Sequence, residues 1–518
     1  MNDRTSLPQP LVWAVAGARN TAATPADRRA FDAFAVQGCV ATARGAASNT
    51  AGSSPLEPSR PTLAVQLDAL MKGPQPASIK TSLPSDTAEL QDLMQCIDRL
   101  RVQHPLLAVV VDAQAAVADR GLLDTCITGL LPRATLVTLS PADASKLLGC
   151  PPLLHDTDIE DAARGLQMLT GCRGVVIHKI DMSGVCPDGA FMLTEQASGW
   201  LLPMPAAGAA ATSLPVAACD DHRACFSASA AAAFARGFVA ADAVVLAHMA
   251  ATHFQRHRQH TDESAASTNA DQRFALERAN LPALRSSSSA PPISFAPLVQ
   301  PQMGLYAVVD SAAWVQRVLD SGVRTVQLRI KDPAHPKLRE EIKQAVAAAS
   351  AVDAQFFIND HWQLAIEENA YGVHLGQEDL ATVDLPRLAA AGVRLGISTH
   401  AYWEVCRAAA LQPSYIACGP IHPTAAKAMP WIPQGNDNLA YWCALLREPV
   451  VAIAGMDFER AAQAVQRGAD AVAVISGITA AHSPEQAIQS FDQSIAQARQ
   501  FPRQAPPDMP RPTLARKP

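Results

Sequence analysis

Residues able to do chemistry recur at short intervals in the second half of the chain. Gln327, Arg329 and Lys331 alternate in QLRIKD, Asn359 and Asp360 close FFIND, and Gln377, Glu378 and Asp379 follow His374 in HLGQED. Ser398 sits in GISTH, Thr424 and Lys427 lie in GPIHPTAAKAMPW, and AIAG and VISG carry Gly455, Ile475, Ser476 and Gly477. Alternation along a strand puts 327, 329 and 331 on one face. Buried charges are rare unless paired or liganded. Two cations opposite two carboxylates suit a magnesium diphosphate, because Mg2+ takes hard oxygen ligands and keeps several waters. Small residues at 455 and 477 let backbone N–H groups approach a second phosphate. Each feature also has a plainer reading. The cations serve equally as a solvated strand edge, Asp360 as the N-cap of HWQLAIEE, and the glycines as turn formers. His374 reads as a structural hydrogen-bonding residue, since no second His stands at ligand spacing. One diphosphate-and-metal half beside one monophosphate half describes a transferase with two phosphorylated substrates better than a hydrolase or an isomerase.

The elements that must position these groups are regular. GLYAVVD, VRTVQLRI, QFFIND, GVHLG, VRLGIS, SYIACG, VVAIAG and AVAVIS read as strands, separated by Ala-rich amphipathic stretches such as PKLREEIKQAVAAASA. Eight β/α units in roughly 200 residues predict a (β/α)8 TIM barrel over 303–500, with the polar residues at the carboxyl ends of the strands, where such barrels carry their sites. An open doubly wound sheet is the alternative; it more often shows a Gly-rich first turn, absent here. Upstream, VWAVAG, PLLAVVVD, ATLVTLS and GVVIHKI read as buried strands of a second α/β domain over 10–255, and the Ala-rich run from Ser227 to Ala251 as one or two packed helices. Four serines followed by prolines mark 256–302 as a flexible linker, and the Pro-rich 501–518 reads as a disordered tail.

Bulk properties narrow the partners. The 518 residues are 49% hydrophobic and carry a net charge of −6. No basic excess is available to neutralise phosphates, which argues against a nucleic-acid binder. Eleven cysteines are scattered without a CxxC pair, so a reducing cytosol fits better than a disulfide framework or a zinc site. No signal peptide and no apolar run of ~18 residues stands in the sequence, so no membrane partner is expected. Small molecules are the expected partners, and self-association stays open.

The barrel motifs, in this order, resemble thiamine phosphate synthase over essentially all of 304–500. HLGQED and GPIxPT together are specific to that family. The resemblance implies that Gln327 sits on an aminopyrimidine, and that Arg329, Lys331 and Asn359 hold its diphosphate. It implies Mg2+ on Asp360 and Asp379, Ser398 beside the pyrimidine, and Lys427 on the leaving diphosphate. Thr424 and the backbone near Gly455, Ile475 and Ser476 would hold a thiazole phosphate. Two positions depart from the family: PTxTK reads PTAAK, so Ala426 replaces a hydroxyl, and the usual Gly-Gly reads Ala454-Gly455. Losing one neutral hydrogen bond costs ~0.5–1.5 kcal/mol, which weakens binding without abolishing it.

The first half resembles hydroxymethylpyrimidine phosphate kinase, a ribokinase-like α/β/α sandwich enzyme. The family's Gly-rich SDSGGGAG reads ARNTAATP here, and its GTGC anion hole reads His222-Arg223-Ala224-Cys225. Its VDPV aspartate matches Asp112, followed by Ala113, and the Asn of TPN is Ser140. Side chains at 222 and 224 would obstruct backbone N–H groups that must converge on a transferring phosphoryl. The expectation is a domain that has lost kinase activity and remains as a structural or regulatory part. The alternative is a bifunctional kinase–synthase.

Overall fold

A computed structural model describes residues 9–16, 23–42, 61–84, 86–114, 120–179, 189–204, 217–257, 271–424 and 430–517. The chain divides into two compact units, 1–290 with 515–518, and 291–514.

The first unit is built on a nine-stranded sheet. Leu11–Ala16 pairs with Gln37–Thr42 at one edge and with Ser78–Ser82 on its other side, followed in order by Ala108–Asp112, Leu136–Leu139 and Val175–Lys179, all parallel. Gly189–Leu193, Ser198–Pro203 and Pro282–Arg285 extend the sheet antiparallel. Near-continuous apolar strands such as AVVVD, buried at every position, demand cover on both faces. Leu63–Leu70, Thr87–Gln103 and Asp156–Thr170 supply one layer, packing Leu67, Leu93, Ile97 and Leu166 against Trp13, Val109 and Val111. The Ala-rich run forms two helices, Ala217–Ala235 and Ala240–His257. Ala230 to Ala233 are fully buried. The missing side-chain bulk brings the helix backbone so close that Ser78 donates to the Ala231 carbonyl at 2.7 Å.

The second unit closes the barrel. Its eight strands run Gly304–Val309, Thr325–Leu328, Gln355–Asn359, Gly372–Leu375, Arg394–Thr399, Tyr415–Cys418, Val450–Ile453 and Ala471–Val474, each parallel to the next, with the last returning to the first. Closure rules out the open doubly wound sheet. Leu298, Met303, Tyr306, Phe357, Tyr415 and Val451 fill the interior.

Two expectations about the connections are corrected. Much of 256–302 is not a free linker. Phe274 and Ala275 are fully buried and 282–285 is a sheet strand. Beyond the boundary, Phe295 N donates to Gln412 O at 3.0 Å, and Gln300 and Gln355 exchange two 3.1 Å hydrogen bonds. The apolar residues on either side of the four serines decide this; 258–270 lie outside the described residues. Nor is 501–517 a disordered tail. Ile432 N donates to Thr513 O at 2.8 Å, Arg511 N donates to Asn438 Oδ1 at 2.8 Å, and Asn438 returns a bond to Arg511 O at 3.0 Å. The prolines remove donors and stiffen the segment, while neighbouring side chains take up the remaining backbone groups.

Candidate active site at the carboxyl face of the barrel

Inside the mouth runs a chain of buried hydrogen bonds. Gln327 Nε2 donates to Tyr306 OH at 3.1 Å, Tyr306 OH meets Tyr415 OH at 2.8 Å, and His374 Nδ1 meets Tyr415 OH at 2.7 Å. His374 Nε2 then lies 2.8 Å from Ser398 Oγ. Five strands thus contribute one side chain each, at inward-facing positions. Gln327 and Ser398 are each tied to this chain by a side-chain hydrogen bond. Sequence reasoning missed Tyr306 and Tyr415. Their signal was a tyrosine at an inward position of two short apolar strands, a pattern shared by any packed core residue. Burial pushes both phenols up. Burial, reinforced by Arg329, pushes His374 down to about 4, so the imidazole is neutral at pH 7.

That shift has a stability consequence. His374 and His222 both fall to about 4 from 6.5, chiefly through burial. Between those values the unfolded chain binds the proton and the folded chain does not. The contribution is therefore complete above pH 6.5 and is lost as pH falls through 4, by on the order of 3 kcal/mol per buried histidine. Urea midpoints measured from pH 7 to 4 should fall steadily, and His374→Gln should flatten the slope for the barrel. A flat profile in the parent would refute the buried neutral state.

The region expected to take a diphosphate begins where the second strand ends at Leu328. Gln327 is within the strand, while Arg329 and Lys331 lie on the loop beyond it, so strict alternation does not hold for all three. Arg329 N donates to Val309 O at 2.7 Å, and Lys331 is exposed. Asn359 is buried at the end of its strand, and Asp360 follows at φ 66. Asp tolerates this left-handed backbone better than most residues. Asp360 does not head the next helix: Trp362–Glu367 has His361 as its cap. Desolvation and the charge of Asp379 raise the Asp360 carboxyl above the usual carboxylate range, while Arg329 and Asn359 pull it back. Asp379 Oδ2 accepts from Gly376 N at 2.9 Å. Two carboxylates that feel each other's charge, offering only hard oxygens, fit a divalent cation such as Mg2+, which would relieve their repulsion.

The residues expected to take a second phosphate follow the sixth, seventh and eighth strands. Ala454 at φ 83 and Gly455 at φ 68 form a consecutive left-handed turn. A Cβ on Gly455 would stand 2.7 Å from His422 Cβ and from Pro423 O, so only glycine fits there. Ile475 has φ −112 and ψ −89 and opens the one-turn helix Ser476–Thr479. Thr424 is half-buried on the loop after the sixth strand. Lys427 and Ala426 lie outside the described residues. Ala454 carries strain of roughly 1–2 kcal/mol, the cost of Cβ in this region. Ala454→Gly is expected to raise stability by about 1 kcal/mol, or roughly 2–4 °C in Tm for a domain of this size. A lower Tm in calorimetry would mean that the turn is not strained.

Sequence relatives fit this geometry. Residues 302–478 match the family model of thiamine monophosphate synthase. A thiamine-phosphate synthase of Citrobacter koseri is 50% identical over 186 residues, which is 36% of this chain and 88% of that protein. The enzyme of Salmonella agona matches to the same extent.

This chain belongs to the thiamine-phosphate synthase family.

The synthase unit is also similar to the solved thiamine phosphate pyrophosphorylase of Pyrococcus furiosus, at 25% identity and a TM-score of 0.36, over 39% of this chain and 99% of that one. The part preceding the synthase unit matches the phosphomethylpyrimidine kinase model over 19–268. It is similar to the solved phosphomethylpyrimidine kinase of Clostridium difficile, at 13% identity and a TM-score of 0.35, over 46% of this chain and 96% of that one. In this unit Arg223 lies on the helix Ala217–Ala235. It reaches Asp112 at 3.3 Å and Asp143 at 3.2 Å, all three nearly or fully buried. Lys80, also buried, pairs with Asp27 at 2.9 Å.

Proposed function

We propose that the barrel joins 4-amino-2-methyl-5-hydroxymethylpyrimidine diphosphate to a thiazole phosphate, giving thiamine phosphate and pyrophosphate. The observation that carries this reading is the pairing of Asp360 and Asp379, beside Arg329, with the left-handed turn at 454–455. Asp360 and Asp379 would hold Mg2+, which neutralises the diphosphate and improves it as a leaving group. Arg329, Lys331 and Asn359 bind the same diphosphate, and Lys427, outside the described residues, is read from the sequence as a further contact to it. Gln327, fixed by Tyr306, and Ser398, fixed by His374, orient the aminopyrimidine. The C–O bond to the diphosphate breaks first, and the ring delocalises the resulting methylene cation. The thiazole nitrogen then donates its lone pair to that carbon. Thr424, Gly455, Ile475 and Ser476 align the thiazole through its phosphate. No covalent nucleophile or strong base is needed; alignment and electrostatics account for the catalysis.

The kinase-like unit is read as non-catalytic. The reading is supported by Arg223, whose guanidinium occupies the neighbourhood of Asp112 that a phosphoryl group would need. The scattered cysteines, free among the described residues, support reading the chain as working in a reducing, cytosolic compartment. The deciding experiment follows pyrophosphate release by the full chain with Mg2+ and both substrates. Release that needs both substrates and stops on chelation supports the reading. A folded chain that releases none, or that releases it without the thiazole phosphate, sinks it.

A further inference from the structure

The kinase-like unit carries a second concavity, at the opposite edge of its sheet from Asp112 and Arg223. Leu106 and Leu107 precede Ala108–Asp112, Ala134 and Thr135 precede Leu136–Leu139, and Arg173 precedes Val175–Lys179. These are the amino ends of parallel strands, whereas open α/β sheets bind substrates at the carboxyl ends. The place is therefore not a remnant of the kinase site. A cavity of about 180 Å³ opens there, and among the described residues Arg101, Arg133, Arg173, Arg516 and Lys517 line it with a single carboxylate, Glu195.

The cations are held in place largely by neutral groups. Arg101 donates to the carbonyls of Arg133 at 2.6 Å and Leu107 at 3.3 Å. Arg516 donates to Phe234 O at 2.9 Å and to Leu106 O, and lies over the Phe234 ring at 5.5 Å. Arg173 reaches Lys517 O at 3.4 Å. Carbonyls orient a guanidinium but leave its net charge uncancelled. Among the described residues, Arg133 is the one of these cations with a carboxylate partner, Asp98 at 2.6 Å. Burial, with the charge of Arg173 added, pushes both Arg101 and Arg516 below the usual guanidinium range. The cluster thus repels itself, and a bound multivalent anion would remove that cost. Arginines held in fixed forks match the oxygens of a phosphate.

We propose that this pocket at the amino edge of the kinase-like sheet binds a small, multiply charged phosphate anion. Pyrophosphate, with the higher charge, binds it more tightly than inorganic phosphate.

The test is calorimetric titration of the full chain with pyrophosphate, and separately with inorganic phosphate, in EDTA. Arg173→Glu/Lys517→Glu removes two exposed cations from the pocket, and Arg99→Glu removes one elsewhere on the same unit. Pyrophosphate affinity should fall at least tenfold in the double variant and stay unchanged in Arg99→Glu, with synthase turnover intact in both. If the charge reversal prevents folding, Arg173→Gln/Lys517→Gln is judged by the same criterion. No pyrophosphate binding by the parent at millimolar concentration overturns the proposal, as does equal binding by parent and double variant. Phosphate binding as tightly as pyrophosphate overturns the preference.

Discussion

Asp360→Asn lowers pyrophosphate release at saturating substrates by about 100-fold or more, with little change in the unfolding midpoint. The magnitude is that of removing one preorganised electrostatic group from a reacting centre, about 10²–10³ in rate. Asparagine is the sharper substitution because residue 360 sits at φ 66, where Asn is as comfortable as Asp. Alanine would add backbone strain to the loss of charge. The amide keeps the size and the turn and removes only the carboxylate that Asp379 and Arg329 surround. If the residue acts by holding Mg2+, raising the metal concentration should recover part of the lost rate, and half-saturation by metal should move upward. Turnover within threefold of the parent at equal Mg2+ would remove Asp360 from the reaction and leave the carboxylate pair a structural feature.

Arg223→Ala destabilises the kinase-like unit by about 3–5 kcal/mol without creating ATP turnover. Removing one partner of a buried ion pair leaves the other charge uncompensated in a medium that solvates it poorly. Here both carboxylates lose the guanidinium, Asp112 at 0% and Asp143 at 4% side-chain exposure, although Asp143 keeps the Ser140 hydroxyl at 2.7 Å. Arg223→Met/Asp112→Leu/Asp143→Leu takes the charge away along with its partners and should be far milder. Denaturant unfolding of the three chains separates the cases. An alanine variant as stable as the parent would mean that the cluster is solvated. An alanine variant that gained kinase activity would restore the bifunctional reading.

The barrel was legible in the sequence because its signals are local. Each strand is a short β-rich run between Ala-rich amphipathic stretches, and a repeat of eight such units has few closed solutions. That these polar residues come together was legible for the same reason: carboxyl ends of barrel strands converge, so Asn359, Asp360 and Asp379 meet where the strands close. Departures from the two families, Ala454 and Arg223, were equally visible as letters. What those letters do was settled only in three dimensions. Ala454 became a residue at φ 83 next to Gly455, where His422 and Pro423 leave no room for a Cβ. Arg223 became half of a buried charge network because strands ending at Asp112 and Leu139 bring Asp112 and Asp143 to one helix. The chain from Gln327 through Tyr306, Tyr415 and His374 to Ser398 joins five strands whose spacing in sequence says nothing about contact. The tail and the serine-flanked segment were misread for the same physical reason. Composition reports how much apolar surface a segment can bury by itself, whereas order at 282–302 and 501–517 comes from backbone groups and isolated apolar side chains finding partners on surfaces built by distant residues.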